Sequence, residues 1–301
     1  MTALLALALA LLPAEPVAVF ESFPDLVYAE LGEEKLLLDL VVPKGDGPFP
    51  LVVCFHGGAW TSGSRKDLTK PSIFYPGGTD GQTDVPVLEN LARNGYAAAS
   101  VSYRLAPKAK YPAQIEDAKT AVKFLRKNAK TYKLEPTKFA ALGFSAGGHL
   151  AGLLGLTQPK DGFEGKLFAD VGSEVQAVVD FFGPTDLCLY AESDEINKLL
   201  VPFLGRELKT DGTVARKASP LTYVHKKAPP FLIVHGTVDL IVPYIHSERL
   251  NKALKAEGVE STLLPIPWKG HGWQDPKYID LAAKRMMQFL NATFKPKEAS
   301  K

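Results

Sequence analysis

The pentapeptide Gly143-Phe144-Ser145-Ala146-Gly147 follows an apolar run at 139–142 and precedes a helix-compatible run at 149–156. A strand, a sharp turn and a helix in that order form a nucleophile elbow, which lifts the serine hydroxyl clear of the sheet. Strand and helix approach each other too closely in such a turn for side chains at 143 and 147, hence the two glycines. Because the elbow needs a buried strand handing over directly to a helix, this segment commits the chain to an α/β architecture.

The remaining pattern agrees. From Val27 onward, strand-like and helix-like segments alternate, which predicts a mostly parallel, doubly wound sheet with helices on both faces. Strands are expected at 36–42, 51–55, 96–102, 139–143, 175–182, 231–235 and 261–265, and helices at 85–94, after Pro112, at 244–257 and at 280–294. Ile115, Ala118, Val122, Leu125 and Ala129 recur at helical spacing, so that stripe should face the sheet. A loop insertion at 70–84 and a cap-like excursion at 186–227 interrupt the rhythm. The expected organisation is one domain over 25–297, preceded by residues 1–18 as signal peptide and short leader.

That leader contains an unbroken Ala/Leu run at 3–12 closed by Pro13-Ala14, like the apolar core of an export signal and too short to span a bilayer. Export to the periplasm or medium is the expectation, with a cytoplasmic location as the alternative, because no Lys or Arg precedes the run. No integral membrane segment is expected in the mature chain. A net charge of +2 with the charges interspersed offers no basic stripe, which argues against nucleic acid as a partner. Cys54 and Cys188 make no disulfide framework and read as two buried free thiols.

A serine nucleophile in this architecture takes its carboxylate and base from loops after later strands, in the order Ser, Asp or Glu, His. Asp239 follows the strand at 231–235, and His271, between Gly270 and Gly272, lies between the last strand and the last helix. The catalytic candidates are therefore Ser145, Asp239 and His271. His149 reads as a packed core residue, His225 and His246 as solvated, and His235 ends its strand too early to be the base. No histidine pair shows metal-ligand spacing, so neither metal nor cofactor is expected.

His56-Gly57-Gly58-Ala59-Trp60 directly follows the strand at 51–55, where backbone N–H groups can meet a developing oxyanion. The expected donors are the amides of Gly58, Ala59 and Ala146. Gly57 is expected to bend the loop and His56 to brace it.

These residues, with Ser102-Tyr103-Arg104-Leu105-Ala106-Pro107, the block from Tyr111 to Asp117, Phe182-Gly183-Pro184-Thr185-Asp186 and the stretch from Pro229 to Gly236, resemble the α/β-hydrolase superfamily. More narrowly they resemble its feruloyl- or acetyl-xylan-esterase-like carboxylesterases, near the hormone-sensitive-lipase and arylformamidase groups. The resemblance implies the same triad, no cofactor, and cleavage of a small-molecule or glycan ester of a short acyl or aromatic acid. Trp60, Phe74, Tyr75, Tyr103 and Trp273 are the candidate pocket residues. The alternatives are an arylformamidase-type amide hydrolase, a peptidase of the prolyl-oligopeptidase type, whose N-terminal propeller has no counterpart before Val27, and a catalytically silent binding module of the same fold.

Overall fold

The computed structural model describes residues 19–70, 85–191, 193–208 and 212–294. The leader at 1–18 and, apart from Lys70, the 70–84 insertion with Phe74 and Tyr75 lie outside the described residues. Eight strands among the described residues form one sheet: β1 (Phe20–Leu31), β2 (Glu34–Pro43), β3 (Phe49–Phe55), β4 (Ala97–Val101), β5 (Leu134–Phe144), β6 (Ala177–Phe181), β7 (Phe231–Gly236) and β8 (Ser261–Ile266). Their order is β1-β2-β4-β3-β5-β6-β7-β8. β1 and β4 each pair antiparallel with β2, and every other pairing is parallel.

The helices are α1 (Val87–Arg93), α2 (Ala113–Lys127), α3 (Ala146–Leu156), α4 (Asp194–Leu204), α5 (Gly212–Ala218), α6 (Ile245–Ala256) and α7 (Pro276–Phe294). Successive strand side chains point to opposite faces, so one strand feeds two cores. Leu51, Val53 and Phe55 of β3 join Ile115 and Val122 of α2, Leu150 and Leu153 of α3 and Leu250 of α6. Val52 and Cys54 of the same strand join Leu88 and Leu91 of α1 and Met286 and Leu290 of α7. Each fully buried Leu or Phe in these layers contributes about 1.5–3 kcal/mol of transfer free energy. The stripe from Ile115 to Ala129 is buried as its spacing predicts.

Three features add to or differ from the sequence reading. The sheet gains β1, an antiparallel edge strand starting at Phe20, before the expected boundary at 25. Pro24 sits inside it at a register irregularity, a position tolerated at an edge because no second neighbour needs the missing N–H. The cap-like 186–227 excursion holds two helices, α4 and α5, for which the sequence reading gave no bounds. Both thiols are free as expected, but Cys188 is half-buried, whereas Cys54 is buried.

β3, β5, β6, β7 and β8 run in one direction, so their C-terminal ends share one edge of the sheet, where open α/β sheets place ligands. No helix among the described residues is long and apolar enough to cross a membrane.

Candidate active site

Ser145 sits between β5 and α3 with φ 55° and ψ −119°, a left-handed strain that a tight strand-to-helix turn imposes. Its amide donates to Phe181 O at 2.9 Å, which fastens the turn to β6. A Cβ on Gly143 would overlap the Gly147 carbonyl, and one on Gly147 would overlap the Phe55 carbonyl. Both obstacles are backbone atoms that have nowhere to go, which explains the paired glycines.

Three distant segments meet here. His271 Nε2 lies 2.9 Å from Ser145 Oγ, and its Nδ1 lies 2.7 Å from Asp239 Oδ2. Asp239 Oδ1 accepts the Ile241 and Val242 amides, each at 2.9 Å. Burial works to raise the Asp239 carboxyl, but hydrogen bonds from His235 and His271, and His271 charge, outweigh it and hold the group well below the usual carboxylate range. An anion facing Nδ1 keeps the proton there and leaves Nε2 free to accept from the serine. The Asp239 side chain is fully buried and that of His271 14% exposed, so the imidazole is the member within reach of substrate.

The loop carrying His271 leaves β8 and pairs Gly270 with Gly272. A side chain at Gly236, the last residue of β7, would overlap the Lys269 and Gly270 carbonyls. The carboxylate loop and the imidazole loop therefore touch through backbone. Phe182 packs its ring edge-on to His271, 4.8 Å between centroids, with Trp273 behind it.

On the other side, Gly58, Ala59 and Trp60 are all left-handed, at φ 105°, 50° and 59°. The Thr61 and Ser62 amides close on Gly58 O at 3.0 Å, while the Gly58 and Ala59 amides meet no acceptor among the described residues. The bend thus falls at 58–60 and not at Gly57, whose carbonyl instead receives His56 Nδ1 at 2.7 Å. The brace expected of His56 is present: its ring stacks on Tyr103, and the Tyr103 hydroxyl donates to His56 O at 2.9 Å. Ala146 opens α3, and first-turn amides have no acceptor within their own helix.

A cavity of about 40 Å³ beside Ser145 is lined by Ala59, Trp60, Ala146, Tyr190, Leu199, Leu200 and Ile241, among others. Of the expected pocket residues, Trp60 is a wall; it stacks on Phe203 of α4 at 4.2 Å and donates Nε1–H to His149 Nδ1. Tyr103 and Trp273 are not walls, because both are buried behind the loops they support. The excursion at 186–227, expected from its place on this face to wall the pocket, does so through α4, whereas the individual wall residues there and in the 241–242 loop escape a sequence reading, since ordinary Leu and Ile carry no mark of what they face.

The remaining histidines divide. His149 is buried as expected, its Nε2 2.6 Å from Ala218 O, and burial pushes its pKa down to about 4. His246, expected in solvent, is fully buried: its Nδ1 accepts the Thr185 and Asp186 amides, and burial pushes its pKa down to about 3. No cluster of His, Cys, Asp and Glu able to hold a metal occurs among the described residues. A larger cavity, about 430 Å³, lies by Val175 and Pro229 at the opposite strand ends and contains none of the three grouped side chains.

Known proteins are similar to this chain. The chain is 32% identical over 232 residues to Esterase LipC of Mycobacterium tuberculosis, covering 75% of this chain and 53% of LipC. It is 29% identical over 243 residues to Esterase LipQ of the same organism, covering 78% of this chain and 53% of LipQ. The chain thus spans about half the length of the curated relatives it matches. Among solved structures it resembles a truncated carbohydrate esterase from gut microbiota, with a TM-score of 0.78 and 27% identity over 92% of this chain and 98% of that one. It also resembles the Est2 esterase of Thermogutta terrifontis, with a TM-score of 0.73 and 24% identity over 93% and 97%. The BD-FAE family profile matches residues 38–254, and the chain belongs to that family, within the α/β-hydrolase fold.

Proposed function

We propose that the chain is a serine carboxylesterase acting on esters of short acyl groups. The observation that carries this reading is the unbroken run of contacts from Asp239 through His271 to Ser145 Oγ, at 2.7 and 2.9 Å, beside a narrow apolar cavity. His271 takes the hydroxyl proton as Ser145 attacks the ester carbonyl, and Asp239 stabilises the imidazolium. The Gly58, Ala59 and Ala146 amides receive the oxyanion, a contribution of about 3–4 kcal/mol for each donor. His271 then protonates the leaving alcohol, and water repeats the cycle on the acyl-enzyme.

Cavity size selects the acyl group. The small cavity beside Ser145, walled by Leu199, Leu200 and Ile241, fits a short acyl chain better than a feruloyl ring. On the alcohol side, Trp268, in the loop between β8 and His271, is 84% exposed and offers a face to a sugar ring. The likeness to a carbohydrate esterase supports a glycan ester.

The test compares p-nitrophenyl acetate, butyrate and decanoate with methyl ferulate and acetylated xylan, using the wild type and Ser145→Ala. Acetate and butyrate should give the highest kcat/KM, acetylated xylan should be deacetylated, and the variant should be inactive. Preference for decanoate, or activity in Ser145→Ala, overturns the reading.

A further inference from the structure

Asp239 faces a second imidazole from beneath the site. His235, at the end of β7, is fully buried, and its Nε2 lies 2.8 Å from Val242 O and 3.2 Å from Asp239 Oδ2. Nitrogen facing a carbonyl and a carboxylate together must carry the proton. The other ring nitrogen, Nδ1, lies 2.6 Å from Ser247 Oγ on α6, which fixes the plane of the ring. The Val242 amide in turn donates to Asp239 Oδ1. Thus Asp239, Val242 and His235 form a closed ring of polar contacts in which the carboxylate is gripped at both oxygens.

We propose that His235 is a positioning residue for the reaction: through Nε2–H it fixes the 239–242 turn and the orientation of the Asp239 carboxylate that His271 reads. This rests on the triad reading above. The geometry favours it over a packing role on two grounds. Apolar side chains would fill a site between β7 and α6 without requiring the Ser247 hydroxyl, whereas here both ring nitrogens are engaged. The i, i+4 spacing of His235 and Asp239 also brings the ring under the carboxylate in a single turn of chain, so any shift of the ring is passed directly to Oδ2. Misplacement of a reacting group by about 1 Å can cost on the order of 100-fold in rate.

The experiment measures kcat and KM for p-nitrophenyl acetate in His235→Leu, His235→Gln and His235→Asn, with Ser145→Ala in parallel and thermal melts on all. Gln can present an N–H near the Nε2 position, whereas Asn presents its amide near Nδ1. His235→Leu should lose about 10- to 100-fold in kcat with KM changed less than about 2-fold, because the carboxylate is misaimed and not removed. His235→Gln should recover at least several-fold over His235→Leu and exceed His235→Asn. If His235→Leu does not fold, the ratio of Gln to Asn decides: a clear excess for Gln supports the assignment, and equal kcat overturns it. Wild-type kcat in a folded His235→Leu also overturns it. Should Ser145→Ala stay active, the triad reading itself fails, a result separable from the His235 outcomes.

Discussion

The Trp60 indole N–H and His149 Nδ1 meet at 3.3 Å, joining the loop after β3 to the helix that begins at the nucleophile. His149 makes this contact only while neutral, because a protonated Nδ1 has no lone pair to offer.

That requirement predicts an acid-sensitive fold. Burial lowers His149 from the ordinary 6.5 to about 4 and His246 to about 3, so the unfolded chain binds more protons than the native one across those windows. Stability from both is complete above about 6.5 and is lost as pH falls through 4 and 3; His149 alone accounts for about 3 kcal/mol at roughly 1.4 kcal/mol per unit. Asp180 acts in the opposite sense: fully buried, it is raised to about 6, so the native state holds the extra proton and gains stability as pH falls from 6 toward 3.8. Two imidazoles, each displaced further than the one carboxyl, outweigh it. Urea midpoints should therefore fall between pH 6.5 and 4, and His149→Phe should flatten that slope. A flat wild-type profile would contradict the assignment.

Asp239→Asn should lower kcat by about 10⁴-fold while leaving KM nearly unchanged, since an amide cannot hold the proton on His271 Nδ1 or balance its charge. Fluorophosphonate labelling of Ser145 should slow in parallel. Labelling at the wild-type rate would show that the carboxylate plays no part in activating the hydroxyl.

Gly147→Ala should melt lower by the equivalent of about 1–3 kcal/mol, because the new Cβ overlaps the Phe55 and His56 carbonyls and the backbone must shift. Activity should fall further than folded fraction, as the same shift moves Ser145. Thermal melts with active-site titration separate the two effects.

Much of this site was legible in the sequence for a mechanical reason. Ser145, Asp239, His271 and the loop at 56–60 each lie at or just beyond the C-terminal end of a parallel strand, so their chain order alone determines their convergence. β1 was largely missed because an edge strand interrupted by Pro24 and Asp25 shows no clean alternation. His246 was misread because the Thr185 and Asp186 amides that satisfy it come from about sixty residues away. His235 left one trace, its four-residue spacing from Asp239, although a spacing alone does not reveal which nitrogen faces what.

Leu200→Ala on α4 should lengthen the preferred acyl chain. Leu200 is buried in the cavity wall, and each methylene newly accommodated is worth about 0.8 kcal/mol, or roughly 4-fold in kcat/KM. The ratio of hexanoate to acetate hydrolysis reads this directly, against a stability cost of about 2–5 kcal/mol. An unchanged ratio would place the acyl chain elsewhere.

The acyl-side wall on α4 belongs to a connection between β6 and β7 that supplies neither hydroxyl, imidazole nor carboxylate. Under the proposed reaction, part of the selectivity thus rests on a stretch apart from the reacting groups, and drift at Leu199 and Leu200 would reshape the acyl side while Ser145, Asp239 and His271 keep their places.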